Sequence, residues 1–467
     1  MRKLFATACM ATLPACAVGP NYVRPAIDAP AAFKSAAAPS ASAPLRADWW
    51  RVYEDAELDR LITTATAANQ TIQQAIAAVD QARALTRVAA SFRYPTVTLN
   101  PAATRQRTSA SRNSPITGQA VGTAAVFNDF IVPADFRYEV DVWGRVRRSI
   151  EAQRAIAAAT QDDEAVVELA VQTDVAQAYY TLRGLDAQAE ILAETVASYR
   201  EQVRILTVQV NTGLTSPIPL NQAQALLQST LAQQTDVARA RANEEHALAI
   251  LCGQAAPTFA LAAKPLRDVS TPPIPAEVPA AVLRQRPDVA EAEHRLAAAN
   301  AQVGVATASL YPTIGVSGSA GFEAVRISSL LDWQSRLWSI VGGLTAPIFE
   351  GGRLRANLDA ARAQYRGVVA AYINQVLTVY TDVEDSLTDL GALRAEVVSL
   401  RGATSASEEY LRVAHVQFRS GLVDYLTVID AERTLLTNQI SLAQALTGQM
   451  TASVRLVKAL GGGWQPA

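Results

Sequence analysis

Apolar residues follow two different rhythms along this chain, and the switch between them happens twice. From about Trp49 to Phe92 they recur at helical spacing, whereas between Thr96 and Trp143 they alternate with polar residues. Tyr94-Pro95 marks the change, because a residue preceding proline is pushed out of the α region. Val97 and Leu99 alternate with Thr96, Thr98 and Asn100, and Phe136, Tyr138, Val140 and Val142 alternate with Asp135, Arg137, Glu139 and Asp141. The same rhythm returns between Thr313 and Phe349. There Ile314, Val316, Ala320 and Phe322 share one face, Thr313, Ser317 and Ser319 share the other, and a returning strand puts Trp338, Ile340, Leu344, Ala346 and Ile348 on one side. Strands of this length with one apolar face suit a transmembrane β-barrel. Four strands per chain are too few to close one, and no other segment offers a sheet partner, so closure requires further copies of the chain.

Long helical patterns follow each strand pair. From Arg145 to about Gln209 there is no proline and only Gly184 interrupts; from Arg353 to about Phe418 there is again no proline, and Gly367, Gly391 and Gly402 stand isolated. Each such stretch predicts a helix about 100 Å long, more than a globule of this size can bury. Its apolar positions are mainly Ala, Val and Leu, which permit close approach of neighbouring helices. Both patterns stop at Gly-Leu, Gly213-Leu214 and Gly421-Leu422. Glycine permits the left-handed stop conformation, and the leucine is expected to pack back on the last turn. Return helices of about half the length are predicted from about Leu220 to Cys252 and from about Asp424 to Leu460, with Asp424 as an N-cap.

The two halves are copies. Gly144/Gly352, Arg145/Arg353, Asp174/Asp382, Gln209/Gln417, Gly213/Gly421 and Gly253/Gly461 all stand 208 apart, while Tyr94-Pro95-Thr96 and Tyr311-Pro312-Thr313 stand 217 apart. The expected organisation is a signal peptide over 1–15, an N-terminal tether over 16–48, a first repeat over 49–256 with its strands in 94–143, a Pro-rich linker at mid-height over 257–286, and a second repeat over 287–467 with its strands in 311–349.

The N-terminus carries a targeting signal. Arg2 and Lys3 precede an apolar stretch from Leu4 to Ala15, too short to span a membrane, and Leu13-Pro14-Ala15-Cys16 resembles a lipoprotein cleavage site that would leave Cys16 lipidated. Of three cysteines, Cys9 leaves with the signal, Cys16 would be blocked by lipid and Cys252 is alone, so no internal disulfide framework is available. A formal charge of −2, with Lys and Arg scattered along helices, gives no reason to expect nucleic acid.

Candidate chemistry is thin. His246, His294 and His415 are isolated in helical pattern without metal-ligand spacing, and Gly315, Gly318 and Gly321 fall in a strand instead of a phosphate-binding turn. No nucleophile elbow or P-loop is present, so neither an enzyme nor a cofactor is expected.

An ordered set of motifs spans the mature chain: Cys16-Ala-Val-Gly-Pro-Asn-Tyr22, Trp49-Trp50, Tyr138-Glu-Val-Asp-Val-Trp-Gly-Arg145, Arg286-Pro-Asp-Val289 with Glu293-His294-Arg295, Pro347-Ile-Phe-Glu-Gly-Gly-Arg353, and Gly421-Leu-Val-Asp-Tyr-Leu-Thr-Val-Ile-Asp-Ala-Glu-Arg433. This set resembles the TolC-like outer-membrane efflux channels, in particular the lipoprotein (NodT-type) branch that serves RND multidrug pumps. The resemblance implies a membrane α+β fold: a homotrimer in which twelve strands, four per chain, form an outer-membrane barrel that continues into a twelve-helix periplasmic barrel. It implies as partners a periplasmic adaptor and an inner-membrane RND transporter. It places adaptor contacts at the helix-tip turns Gly213, Leu214, Gly421 and Leu422, and a periplasmic gate at Leu426, Asp430 and Arg433. Spacing of i, i+4 and i+7 puts those three on one helical face. An intrahelical Asp430–Arg433 pair with Leu426 in a helix interface is the structural alternative. Ser216-Pro217-Ile218-Pro219 departs from the family's acidic first tip, and its prolines are expected to stiffen it. Two functional alternatives stand beside drug efflux: a conduit for type I protein secretion, and a non-channel periplasmic coiled-coil lipoprotein.

Overall fold

The computed structural model describes residues 17–35, 45–111, 124–266, 271–274 and 279–465, so the expected signal peptide and Cys16 lie outside the described residues. Element order is α1 (Ala56–Ala68), α2 (Gln70–Ser91), β1 (Thr96–Leu99), β2 (Ala102–Arg107), β3 (Val126–Val140), α3 (Arg145–Asn211), α4 (Pro217–Leu251), α5 (Pro279–Gln285), α6 (Pro287–Ala308), β4 (Thr313–Ala324), β5 (Arg336–Thr345), α7 (Arg353–Arg419) and α8 (Tyr425–Ala459). The long helices α3 and α7 have 67 residues each and the return helices α4 and α8 have 35 each, so the repeat is carried into the structure.

Local chemistry sets several boundaries. The helix expected from Trp49 to Phe92 is broken in two places. Trp49–Tyr53 is a 3₁₀ turn, and Asn69 ends α1 while its side chain accepts from the Thr71 and Ile72 amides to start α2. Asp55 caps α1 in the same way through the Glu57 and Leu58 amides. The strands are shorter than the alternation suggested: β3 stops at Val140 and β5 at Thr345, leaving Val142, Ala346 and Ile348 outside the ladder. The first strand is split into β1 and β2 around Asn100-Pro101, where proline lacks the N–H a ladder needs.

Both compact units of the chain draw on both repeats. The first consists of the described part of Met1–Pro25 with Asp80–Ala158 and Glu293–Ala371. It holds one antiparallel sheet with four strand positions in the order β1/β2, β3, β4, β5, and among the described residues β1/β2 and β5 are left as unpaired edges. Register brings Val97, Phe136, Gly318 and Ile340 into one row and Leu99, Ala134, Ala320 and Trp338 into the next, so the apolar positions of all four strands form one continuous face. Thr98, Asp135, Ser319 and Ser339 form a row on the opposite, polar face. The apolar face is open: Trp338 is 77% exposed and Leu344 68%. Among the described residues no helix is long and apolar enough to cross a membrane.

The N-terminal segment is extended, as its prolines predict, yet it is stitched down. In the first unit Val18 donates its amide to the Trp143 carbonyl at 3.0 Å, buried Arg148 reaches Asn21 Oδ1 at 2.7 Å, Asn300 donates to the Pro20 carbonyl at 3.0 Å, and Arg24 pairs with Glu293 at 3.2 Å. The motif that begins at Cys16 thus has a fastening role along its described part.

The second unit is Ala26–Val79, Ala159–Ala292 and Tyr372–Ala467. Its core gathers Trp49, Leu58, Leu61, Tyr179, Leu182, Leu248, Met450 and Val454. Trp49 Nε1 donates to Gln172 and Trp50 Nε1 to Asp59, which keeps both indole N–H groups satisfied. The expected linker takes part in this core, because Leu261 and Leu266 are buried in it and α5 forms within its span. Arg286 donates to the Ala459 carbonyl at the end of α8 and to Asp288 and Asp382, so the Arg-Pro-Asp motif ties helix ends together. Gly184 has a packing role. A Cβ there would collide with the Thr447 side chain, whereas Gly367, Gly391 and Gly402 face open space.

Candidate functional site

The predicted site lies where the helices of the second unit turn. At the end of α3, Gly213 adopts φ +73° and its amide bonds the Val210 carbonyl, while Leu214 N–H reaches back to Gln209 O at 2.8 Å. At the end of α7, Gly421 adopts φ +70° with the equivalent bonds to Phe418 and Gln417. Both are Schellman stops, as expected from the glycines. The leucines, however, do not pack back: Leu214 is 78% and Leu422 75% exposed. Their natural contact would be the residue five positions earlier. That residue is glutamine in both copies, Gln209 and Gln417, so no apolar partner exists.

Helix α8 leaves its turn with Asp424 capping, the carboxylate accepting from the Thr427 amide at 3.2 Å. Its two faces then separate. Leu426, Asp430 and Arg433 are exposed together, while Tyr425, Val428, Ile429, Ala431 and Glu432 are buried on the other side. Tyr425, Val428, Ile429 and Ala431 pack with Leu206, Ala223 and Ala414, so residues from α3, α4 and α7 hold the helix from behind. The intrahelical alternative is not what forms. Among the described residues Asp430 has no ion pair with Arg433 and instead accepts a hydrogen bond from the Tyr410 hydroxyl at 3.2 Å. Tyr410 was not singled out from the sequence. It sits on α7 as far before Ser420 as Asp430 lies after it, which is the pairing an antiparallel hairpin creates. The first tip shows no such carboxylate: α4 opens directly on Pro217, and Ser216 makes no side-chain cap bond.

A second feature lies behind the exposed row. Glu432 is buried, with the Gln202 side-chain amide donating to Oε1 and the Tyr425 hydroxyl donating in turn to Gln202 Oε1. Among the described residues its other oxygen, Oε2, accepts no hydrogen bond, and the nearby Tyr199 hydroxyl makes none. His415 Nε2 stands 3.9 Å from Oε1. Burial pushes the Glu432 carboxyl up to about 7, against hydrogen bonds from Gln202 and Ser198 that lower it. Burial likewise lowers the His415 pKa, helped by the charge of Arg419. A carboxyl whose pKa is raised by burial thus fastens α8 to α3 directly behind the exposed Leu426, Asp430 and Arg433.

The chain matches the family model described as "Outer membrane efflux protein" over residues 61–254 and 278–462. It is 32% identical over 461 residues to outer membrane protein OprJ of Pseudomonas aeruginosa, covering 97% of this chain and 94% of that protein. It is 31% identical over 470 residues to the toluene efflux pump outer membrane protein TtgF of Pseudomonas putida, covering 97% and 95%. The solved outer-membrane channel OprN superposes with a TM-score of 0.89 at 29% identity, over 97% of this chain and all of that one.

Proposed function

The chain belongs to the outer membrane efflux protein family, and we propose that three copies of it form the outer-membrane conduit of a tripartite pump, passing drugs or other small toxic compounds from an inner-membrane RND transporter and a periplasmic adaptor to the exterior. The observation that carries this reading is the open sheet: four strand positions, two unpaired edges and one continuous exposed apolar face. Two copies would give eight strands, a barrel whose interior side chains fill, whereas three give twelve and leave a lumen lined by the polar face. The detergent-solubilised protein is therefore expected to be trimeric by native mass spectrometry. A monomer with full native β content would overturn it.

In this assembly the exposed Leu214 and Leu422 at the Gly213 and Gly421 turns contact the adaptor, and Leu426, Asp430 and Arg433 of three copies meet as the closed periplasmic gate. Leu426 supplies an apolar ring and Asp430 a ring of carboxylates. The relative named for toluene efflux favours small-molecule cargo over protein secretion.

Lipidation at Cys16 supplements the barrel as an anchor. Metabolic labelling with a fatty-acid probe is expected to mark the wild-type chain and not Cys16→Ala; label persisting in that variant would remove Cys16 as the acylation site. Efflux is expected to survive the substitution, since the sheet itself holds the trimer in the membrane.

A further inference from the structure

The exposed apolar face has a distinct end. On β5 the outward column runs Leu344, Gly342, Ile340, Trp338, and its next member, paired with Phe322 of β4, is Arg336. The helices α3 and α7 follow the opposite end of the strands, so on the reading above, in which they lie in the periplasm, Arg336 marks the outer boundary of the apolar band. Arg336 and Leu344 are eight residue steps apart, about 27 Å of strand, which suits the apolar height of an outer-membrane barrel once the strands tilt.

Arg336 is held in an unusual way for an exposed cation. Its guanidinium carbon sits 3.0 Å from the centre of the Trp333 ring, and Nε donates to the Trp333 carbonyl at 2.6 Å. Among the described residues no carboxylate pairs with it. Its remaining N–H groups therefore stay available. The surrounding hairpin is apolar and open, with Val325, Ile327, Leu331 and Trp333 each more than 60% exposed. Between Ala324 and Leu337 it carries two arginines, Arg326 and Arg336, against one acid, Asp332. A preoriented guanidinium at the rim of an apolar band, flanked by an exposed indole, matches an anion whose own tail lies in that band.

We propose that Arg336, laid flat on Trp333, is a docking point for the anionic phosphate of an outer-leaflet lipid headgroup. The proposal rests on the membrane-spanning reading of the sheet and adds a headgroup preference to it. The acyl chains lie along Trp338 and Ile340 while the headgroup phosphate takes the free N–H groups of Arg336.

The test reconstitutes the full chain in vesicles containing acyl-brominated phosphatidylglycerol or acyl-brominated phosphatidylcholine and reads tryptophan quenching, since Trp333 and Trp338 are both widely exposed. Wild type is expected to be quenched by both lipids, with an apparent association several-fold stronger for the anionic one. Arg336→Gln is expected to keep the quenching and lose the preference. Arg137→Gln, which removes a cation from the polar face, is expected to keep both. Equal association of the two lipids with wild type, or an unchanged preference in Arg336→Gln, would overturn the docking point while leaving insertion intact. No quenching by either lipid would overturn the membrane reading itself and the docking point with it. Circular dichroism and trimer mass on each variant separate these results from a failure to fold.

Discussion

Replacing Leu426 and Asp430 together by alanine is expected to raise single-channel conductance in planar bilayers several-fold and to weaken the preference for cations. Both side chains lie exposed on one face of α8, and if that face forms the proposed three-fold gate, truncation removes an apolar ring and a ring of like charges at once. Three carboxylates at close range repel one another and attract cations, which is the source of the selectivity being lost. Asp430 also accepts from Tyr410, so its removal frees the α7 side of the contact and adds to the opening. Asp424→Ala serves as the comparison. Its carboxylate caps α8 through the Thr427 amide, and its loss is expected to destabilise the tip by about 1 kcal/mol without changing selectivity. Unchanged conductance and selectivity in the double variant, with the trimer intact, would leave these residues a structural role only.

A second large effect is expected from pH, through Glu432. Its pKa in the folded chain is about 7, raised chiefly by burial from the ordinary glutamate value of 4.5, so the folded state binds more protons than the unfolded one between those values. Stability is then greatest below the unfolded pKa and is lost as pH rises through about 7. For a side chain 6% exposed the shift corresponds to a loss of about 3 kcal/mol per protomer by alkaline pH. The groups facing Glu432 are Ser198, Tyr199 and Gln202 of α3, His415 of α7 and Tyr425 of its own helix; Arg433 is its charged neighbour in sequence. His415 works in the other direction: burial lowers its pKa, so its contribution is present at high pH and is lost as pH falls. Hydrogen–deuterium exchange over the first turns of α8, corrected for the intrinsic pH dependence of exchange, is expected to show protection falling from pH 6 to pH 8 in wild type. In Glu432→Gln, which keeps the shape and loses the charge, protection is expected to stay nearly level. A wild-type profile as flat as that of the variant would show that the carboxyl does not titrate in this range.

Features that depend on neighbours along the chain were legible in the sequence. The glycines of the two stops, the Asp424 cap and the face shared by Leu426, Asp430 and Arg433 each need only a few consecutive residues to be specified. The alternation in the strands was also readable, because a period of two fixes which side chains share a face once the strand exists. Features that depend on which helices meet were hidden. Glu432 looked like one more polar position on a long helix until α3 placed Gln202 and Tyr199 around it. The exposure of Leu214 and Leu422 is hidden because the motif names the leucine while the contact also needs its partner, and in both copies that partner is glutamine. The split at Asn69 escaped for a similar reason: the apolar spacing continues across it, and only the side chain accepting from two amides shows that one helix has ended and another begun.

The unpaired edges of the sheet carry a genetic corollary. A chain whose β5 edge is damaged, by a proline at a ladder position for example, still presents an intact β1/β2 edge to its neighbours. In a cell expressing both alleles it would therefore be recruited into assemblies it cannot complete, and it would take normal chains with it. Edge lesions are in this sense dominant, whereas a chain too unstable to fold at all is merely recessive.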